Sequence, residues 1–182
     1  MAQDTPLFQQ PVAHLAHWLP SPPSQYKANC DGVTFQDTNS AGLGVVVCDS
    51  GGWVIATLSE WINLPSSMEE LEKFACRKAI SFVAIEIGLH ELVFEGDSRT
   101  IYSHITSSTP CLAIFGHIIA DWRILASTLR NASFSHVKRD DNVVADKLAK
   151  LAKHLYEPQI WLEDIHCNVT NLVILDRSFL PY

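Results

Sequence analysis

Basic residues are scarce in this 182-residue chain, which has 13 lysines and arginines, 20 aspartates and glutamates, and a net charge of −7. This balance disfavours a protein that binds nucleic acid through its overall charge, because contacts to phosphate need Lys and Arg. A local basic patch or a metal cluster could still outweigh the average. The five cysteines lack CxxC spacing, and the eight histidines show no zinc spacing with them. Such dispersed cysteines are typical of reduced, buried thiols in an intracellular protein.

The sequence also lacks an N-terminal signal peptide and an apolar run long enough to cross a membrane. We therefore expect a nuclear or cytoplasmic monomer without a membrane partner. The 47% hydrophobic content is enough for one full core. Five prolines within residues 1–25 argue against packed elements there. The chain is thus predicted to have an irregular leader (1–25), one globular domain (26–156) and an apolar C-terminal tail (157–182).

Hydrophobic periodicity in the central part predicts three strands followed by alternating helices and strands. The turn at residues 49–52 contains two glycines and favours a hairpin, and Gly88 is typical of a helix C-cap. Strands are predicted at 27–35, 43–49, 53–60, 91–96 and 132–138. Helices are predicted at 68–87, 97–105, 112–130 and 142–156. The order β-β-β-α-β-α-α-β-α indicates an α/β fold with a five-stranded mixed sheet and helices on both faces.

Four carboxylates stand at informative places in this pattern. Asp31 lies inside a strand, Glu72 on a helix, Asp97 at a strand end and Asp146 in the first turn of the last helix. Two unit charges about 4 Å apart repel by about 4 kcal/mol at an effective dielectric constant near 20. Such a cluster should therefore be partly protonated unless a cation binds it. Carboxylates gathered from distant segments are how proteins bind Mg²⁺ for phosphodiester chemistry.

The four acids differ in how well a purely structural role explains them. Asp97 could be an N-cap, and Asp146 could be an acid favoured by the helix dipole. Glu69 or Glu70 could be mistaken for Glu72, since most acids on a helix are simply solvated. Burying an aspartate in an apolar strand costs free energy, so function is the best explanation for Asp31, the acid inside a strand.

The motifs that carry these acids occur in a fixed order on matching element types. They are Asn29-Cys-Asp31-Gly32, Glu72-Lys-Phe-Ala-Cys-Arg77, Val93-Phe-Glu-Gly-Asp97-Ser98 and His136-Val-Lys-Arg-Asp-Asp-Asn142-Val-Val-Ala-Asp146. Together they resemble the ribonuclease H-like domain of plant retroelements, in the reverse-transcriptase-associated branch of the type 1 ribonuclease H family. The resemblance covers residues 26–156.

This resemblance implies a ribonuclease H-like fold and an endonuclease that cleaves the RNA strand of RNA–DNA hybrids. It further implies two Mg²⁺ ions, or Mn²⁺ in their place, held by four catalytic acids. These acids would be Asp31, Glu72, Asp97 and Asp146.

Residues around the last acid form a candidate nucleic-acid interface: Lys138, Arg139, Asn142, Lys147 and Lys150. The lysines on the last helix could follow phosphates or could be a solvated helix face. Asn142 could cap that helix as well as contact nucleic acid. His136 is expected to be structural.

The segment before the last acid departs from the family pattern. Active relatives carry a flexible loop with a histidine there, whereas this chain has only residues 138–141 and no histidine. The basic protrusion of some bacterial relatives is also absent, because residues 112–130 hold just two arginines. A second hypothesis is therefore a weakly active or inactive nucleic-acid-binding or interaction module derived from a retroelement. We favour the enzyme, since repulsion gives no structural reason to keep four acids together.

Overall fold

The computed structural model describes residues 19–106 and 124–178, apart from the side chains of residues 104–106 and 178. Its centre is a mixed sheet of six strands in the order β5-β4-β1-β2-β3-β6. The strands are β1 (Tyr26–Phe35), β2 (Ser40–Cys48), β3 (Val54–Asn63), β4 (Glu91–Gly96), β5 (Asn131–His136) and β6 (Gln159–Leu162). Strands β1 to β3 form an antiparallel meander, β4 and β5 run parallel to β1, and β6 runs antiparallel to β3.

The helices lie between and after these strands. They are α1 (Met68–Ser81), α2 (Arg99–Thr106), α3 (Val143–Leu151) and α4 (Cys167–Ser178). A π-helical segment, Phe82–Ile87, continues α1, and 3₁₀ turns at Arg139–Asp141 and Ala152–His154 flank α3. Residues 124–127 are also helical. The predicted C-cap at Gly88 is confirmed, because this residue has φ 74° and its N–H donates to the Val83 carbonyl.

Apolar side chains fill both faces of the sheet. Helix α1 places Leu71, Ala75 and Ala79 on one face, within a large buried cluster. Helices α3 and α4 cover the other face, where Leu148 and Val169 are fully buried. The predicted mixed α/β sheet with helices on both faces is thus confirmed. In the described part of the chain, no helix is long and apolar enough to span a membrane.

The structure differs from the predicted elements in the strand count. Residues 159–162, taken from the sequence as part of a tail, form β6 and pair with β3. Four residues are too few to show a clear alternation, so this strand follows from pairing rather than from pattern. Residues 1–18 of the predicted leader and 112–123 of the predicted third helix lie outside the described residues. The division of the chain into leader, domain and tail stays a prediction.

The cysteines were predicted to be mostly buried and reduced. Cys30, Cys48 and Cys76 are buried free thiols, and Cys167 is exposed. Cys111 lies outside the described residues. Burial raises the pKa of the Cys48 thiol to about 12, which makes it a poor nucleophile.

Candidate metal centre

The register of two parallel strands brings Asp31 and Asp97 to the same level of the sheet. Asn29 on β1 is the partner of Glu95 on β4, and the paired ladder ends there. Asp31 and Asp97 follow these partners by two residues, so the same register carries both acids past the end of the ladder. Glu72 reaches this place from α1. One carboxylate oxygen from each of the three acids lies within 4.8 Å of the other two.

Asp31 has the most unusual environment of the three. The residue is only 2% exposed. Its Oδ1 accepts a hydrogen bond of 2.9 Å from the Gly32 N–H. Its Oδ2 is buried and has no hydrogen-bond partner among the residues that the structure describes. Buried carboxylate oxygens are nearly always paired, so this atom is available to a further polar partner, and a cation is one group that could supply it.

Burial and the proximity of the acids change their protonation. Burial, followed by the charge of Asp97, raises the pKa of Asp31 from 3.8 to about 7. Burial, followed by the charge of Asp31, raises the pKa of Glu72 from 4.5 to about 8. The Arg139 guanidinium opposes both shifts, although it does not cancel them. Two acids of the cluster therefore titrate near neutral pH, which is expected for buried carboxyl groups that lie beside other carboxylates.

Capping does not account for Asp97. Helix α2 begins one residue too late for that role, and Ser98 takes it. The Ser98 hydroxyl accepts a hydrogen bond of 3.4 Å from the Ile101 N–H, and its carbonyl accepts one of 3.1 Å from the Tyr102 N–H. The N-cap interpretation of Asp97 was wrong, and its carboxylate instead joins the cluster.

The neighbouring acids on α1 are engaged elsewhere. Glu69 pairs with Lys73 at 2.6 Å. Glu70 accepts hydrogen bonds from the backbone and hydroxyl of Ser66 in front of the helix. Glu72 is therefore the acid of this segment that lies at the site, as the sequence predicted.

Asp146 stands beside the three-acid cluster rather than inside it. Within the described ranges, the cluster that meets the 4.8 Å limit contains Asp31, Glu72 and Asp97. The charge of Asp146 nevertheless raises the pKa of Asp31, so the two carboxylates interact. Its Oδ2 accepts a hydrogen bond of 2.6 Å from Lys150. Its buried Oδ1 has no hydrogen-bond partner in the described part of the chain.

Asn142 has a different role from the cap that was considered for it. It stands at the N-cap position of α3, but its side chain makes no capping hydrogen bond with the described residues. Its amide nitrogen donates to the Cys30 carbonyl at 3.0 Å, and its amide oxygen accepts from Asn29 at 3.2 Å. The capping interpretation was wrong. The predicted contact with nucleic acid stays a prediction, and the burial of this side chain favours a positioning role.

The basic residues of the candidate interface are placed along one segment. Lys138 and Arg139 are exposed in the turn before α3, and Lys147 is exposed on α3. Lys150 is half exposed and paired with Asp146. Their contact with nucleic acid also stays a prediction.

Sequence reasoning missed a buried polar group beneath the acids. Lys27 pairs with Glu95 at 2.8 Å, and the Asn29 amide donates to Glu95 at 3.1 Å. Polar residues at 27, 29 and 31 alternate along an otherwise apolar strand, and this period of two could have revealed their shared face. The structural role expected for His136 stays a prediction, and its Nε2 hydrogen-bonds with the Asp97 carbonyl at 3.1 Å.

The donor set fits a hard divalent cation. Three carboxylates offer oxygen ligands, which Mg²⁺ and Mn²⁺ prefer, and neither cysteine nor histidine belongs to the cluster. The three acids could therefore bind such an ion, and the buried, unpaired Oδ2 of Asp31 supports this fit.

Comparison with known proteins places this chain in a family. Residues 29–152 match the model of the reverse transcriptase-like family. No curated protein sequence gives a significant match.

Solved structures share the fold. The RNase H1 of the halophilic archaeon Halobacterium salinarum NRC-1 aligns with a TM-score of 0.64 and 23% identity, over 72% of this chain and 98% of that chain. The N-terminal RNase H domain of a Mycobacterium tuberculosis protein aligns with a TM-score of 0.63 and 21% identity, over 71% of this chain and 94% of that chain. LC11-RNase H1 in complex with an RNA/DNA hybrid aligns with a TM-score of 0.59 and 22% identity, over 70% of this chain and 96% of that chain. The chain therefore belongs to the reverse transcriptase-like family and has the fold of ribonuclease H.

Proposed function

We propose that this protein is a divalent-metal-dependent endonuclease that hydrolyses the RNA strand of RNA–DNA hybrids. The observation that carries the proposal is the convergence of Asp31, Glu72 and Asp97, one of which has a buried carboxylate oxygen without a hydrogen-bond partner among the described residues. Burial, together with the neighbouring carboxylates, raises the pKa values of Asp31 and Glu72, so ionising both acids is costly to the metal-free protein. A bound cation would offset that cost.

The proposed ligand sets follow from the placement of the acids. Asp31, Glu72 and Asp97 would hold one Mg²⁺ ion, and Asp31 with Asp146 would hold a second. A pair of bound ions supplies an activated water and stabilises the leaving 3′ oxygen. The protein would contribute rigid placement: Asp31 is fixed by β1, and Asp97 is fixed through its backbone by His136. No covalent intermediate with the protein is required.

Relatives with this fold support the choice of substrate. The solved structures include enzymes described as RNase H1, and LC11-RNase H1 is described in complex with an RNA/DNA hybrid. We extend that substrate class to this chain. Lys138, Arg139 and Lys147 are exposed beside the acids and would contact the phosphates of the hybrid.

A second candidate function is a binding module that has kept the fold without turnover. It is favoured by the Lys150–Asp146 pair, which occupies one oxygen of the fourth proposed ligand. The short turn at residues 139–141, without a histidine, also favours it.

A cleavage assay with matched variants tests both functions. Purified protein with Mg²⁺ or Mn²⁺ should cut an end-labelled RNA–DNA hybrid in its RNA strand. Asp31→Asn should abolish cleavage, because it removes the charge at the centre of the cluster. Asp37→Asn is the control, since Asp37 is an exposed acid paired with Lys153 and should leave the rate unchanged. If wild type and Asp31→Asn bind the hybrid equally and neither cuts it, the module hypothesis is correct.

A further inference from the structure

Four buried polar side chains form one hydrogen-bonded chain behind the acids. Lys27, Asn29, Glu95 and Asn142 are each less than 10% exposed. Lys27 Nζ contacts Glu95 Oε1 at 2.8 Å and donates to the Leu19 carbonyl at 2.5 Å. Asn29 Nδ2 lies 3.1 Å from Glu95 Oε2 and 3.2 Å from Asn142 Oδ1. Asn142 Nδ2 then donates to the Cys30 carbonyl at 3.0 Å.

Stability alone is a poor explanation for this polar chain. Burying an ion pair costs desolvation free energy that its attraction often fails to recover, and apolar residues of similar volume are frequently as stable. Two buried amides add further polar groups that must all be satisfied. A buried network of hydrogen bonds does, however, hold the segments that it joins at more specific relative positions than apolar packing does.

The elements that the polar chain joins are the ones that carry three of the acids. Glu95 on β4 precedes Asp97, the residue just after the strand, by two positions, and Asn29 precedes Asp31 by two residues on β1. Asn142 stands one helical turn before Asp146, whose N–H donates to the Asn142 carbonyl at 3.1 Å. The polar chain therefore connects β4, β1 and the start of α3, which lie at or next to Asp97, Asp31 and Asp146 respectively.

Where the ladder between β1 and β4 ends, a side-chain amide supplies the hydrogen bond that a strand partner would otherwise make. Paired residues end at Asn29 and Glu95, which is the point where the strands separate toward the acids. The next carbonyl on β1, that of Cys30, accepts its hydrogen bond from the Asn142 side chain. Asn142 thus ties α3 to the residue directly before Asp31, and Asn29 holds Asn142 in that orientation.

We propose that Asn29 and Glu95 are positioning residues that set the distance between Asp146 and the three-acid cluster, and so the affinity of the site for divalent cations. This inference rests on the proposed function, because it assigns the four acids as ligands. Asn29 acts through its amide nitrogen, which donates hydrogen bonds to both Glu95 and Asn142. A side chain without that nitrogen leaves the Asn142 oxygen without its donor and loosens the start of α3.

Calorimetric titration with Mn²⁺ tests the inference without any need for turnover. Asn29→Leu keeps the approximate volume and removes the amide. It should weaken Mn²⁺ binding at least tenfold, as loss of a hydrogen bond behind a ligand typically does. In the cleavage assay, the Mg²⁺ concentration for half-maximal rate should rise by a similar factor, while KM for the hybrid stays constant. Asn29→Ser removes the same contacts and replaces Asn29→Leu if that variant does not fold.

Ser59→Ala provides the matched control. The Ser59 hydroxyl is buried and donates to the Leu148 carbonyl at 2.7 Å, so it also joins the sheet to α3, but from β3, two strands away from β1, and, among the described residues, without a contact to the polar chain. It should lower the melting temperature without changing Mn²⁺ affinity. The inference is overturned if folded Asn29 variants bind Mn²⁺ like wild type, or if Ser59→Ala weakens binding equally.

The two proposals fail in different ways. Wild-type protein that binds Mn²⁺ but cuts no hybrid overturns the proposed nuclease, while the calorimetric comparison of Asn29 and Ser59 variants still decides the positioning role. Wild-type protein that binds no Mn²⁺ overturns both.

Discussion

Lys150 Nζ lies 2.6 Å from Asp146 Oδ2, one turn along the same helix. This ion pair occupies one oxygen of the fourth proposed ligand, while the other oxygen is buried without a hydrogen-bond partner in the described residues. A cation that binds Asp146 would compete with Lys150 for the carboxylate. Release of the lysine would then free a positive charge for the phosphates of the hybrid.

Lys150→Gln should therefore have two opposite effects. The Mg²⁺ concentration for half-maximal cleavage should fall a few-fold, because the competing charge is gone. KM for the hybrid should rise a few-fold, because a phosphate contact is lost. Lys147→Gln, an exposed neighbour on α3, should raise KM alone. Steady-state rates over a Mg²⁺ series check both variants, and a higher Mg²⁺ requirement for Lys150→Gln would contradict the competition.

The metal-free protein should lose stability as the pH rises. The carboxyls of Asp31 and Glu72 have folded pKa values of about 7 and about 8, against ordinary values of 3.8 and 4.5. Between these limits the folded state binds more protons than the unfolded state, so the free energy of unfolding falls with pH. The stabilisation is complete below about pH 4 and is lost as the pH passes through 7 and 8.

Thermal unfolding in EDTA from pH 5 to pH 8.5 measures this loss. The melting temperature should fall by several degrees over the range, and Mg²⁺ at pH 8.5 should restore it. Asp31→Asn should flatten the profile and should melt higher than wild type at pH 8.5 without metal. A wild-type melting temperature that rises across this range in EDTA would refute the assigned pKa directions.

The affinity for metal should rise with pH, whereas the stability of the metal-free protein falls. A cation must displace the protons that Asp31 and Glu72 retain near neutral pH, so binding strengthens as these acids ionise. We expect the Mg²⁺ concentration for half-maximal cleavage to drop at least tenfold between pH 6 and pH 8. Calorimetry with Mn²⁺ at the same pH values provides a readout that does not depend on turnover. A requirement that is constant over this range would count against both acids as ligands.

Removal of residues 157–182 should destabilise the domain predicted to end at residue 156. Those residues supply β6, which pairs with β3, and Val169, which is fully buried against the sheet. Truncation exposes the edge of β3 and the apolar surface around Val46. The truncated chain should melt at a lower temperature and aggregate more readily, as light scattering during heating would show. Unchanged melting would support the division at residue 156.

The sequence indicated those features of the fold that depend on local chemistry. Gly88 ends a helix because its backbone can adopt positive φ, and that requirement is visible in the residue type alone. Asp31 was conspicuous because an acid inside an apolar strand needs a reason. Glu72 was chosen over two neighbouring acids, and the contacts of Glu69 and Glu70 agree with that choice.

Features that depend on tertiary contacts could not be predicted in the same way. Whether Asp97 or Ser98 caps α2 turns on a shift of one residue in the helix start, which periodicity does not resolve. Asn142 looked like an N-cap because asparagine is common there, and only its contact with Cys30, 112 positions away, shows its role. The pairing of β6 with β3 likewise becomes visible only when the sheet is assembled.

Two glycines on β2 determine how closely α3 approaches the sheet. A Cβ atom on Gly44 would lie 2.2 Å from the Ala145 carbonyl oxygen, and one on Gly42 would lie 2.0 Å from that of Ala149. Even alanine at either position would push this helix, and Asp146 with it, outward. Under the proposed function, the presence of all four acids in related sequences is thus an incomplete criterion for nuclease activity. Those that have lost either small residue should be sorted with the inactive members, however intact their carboxylates look.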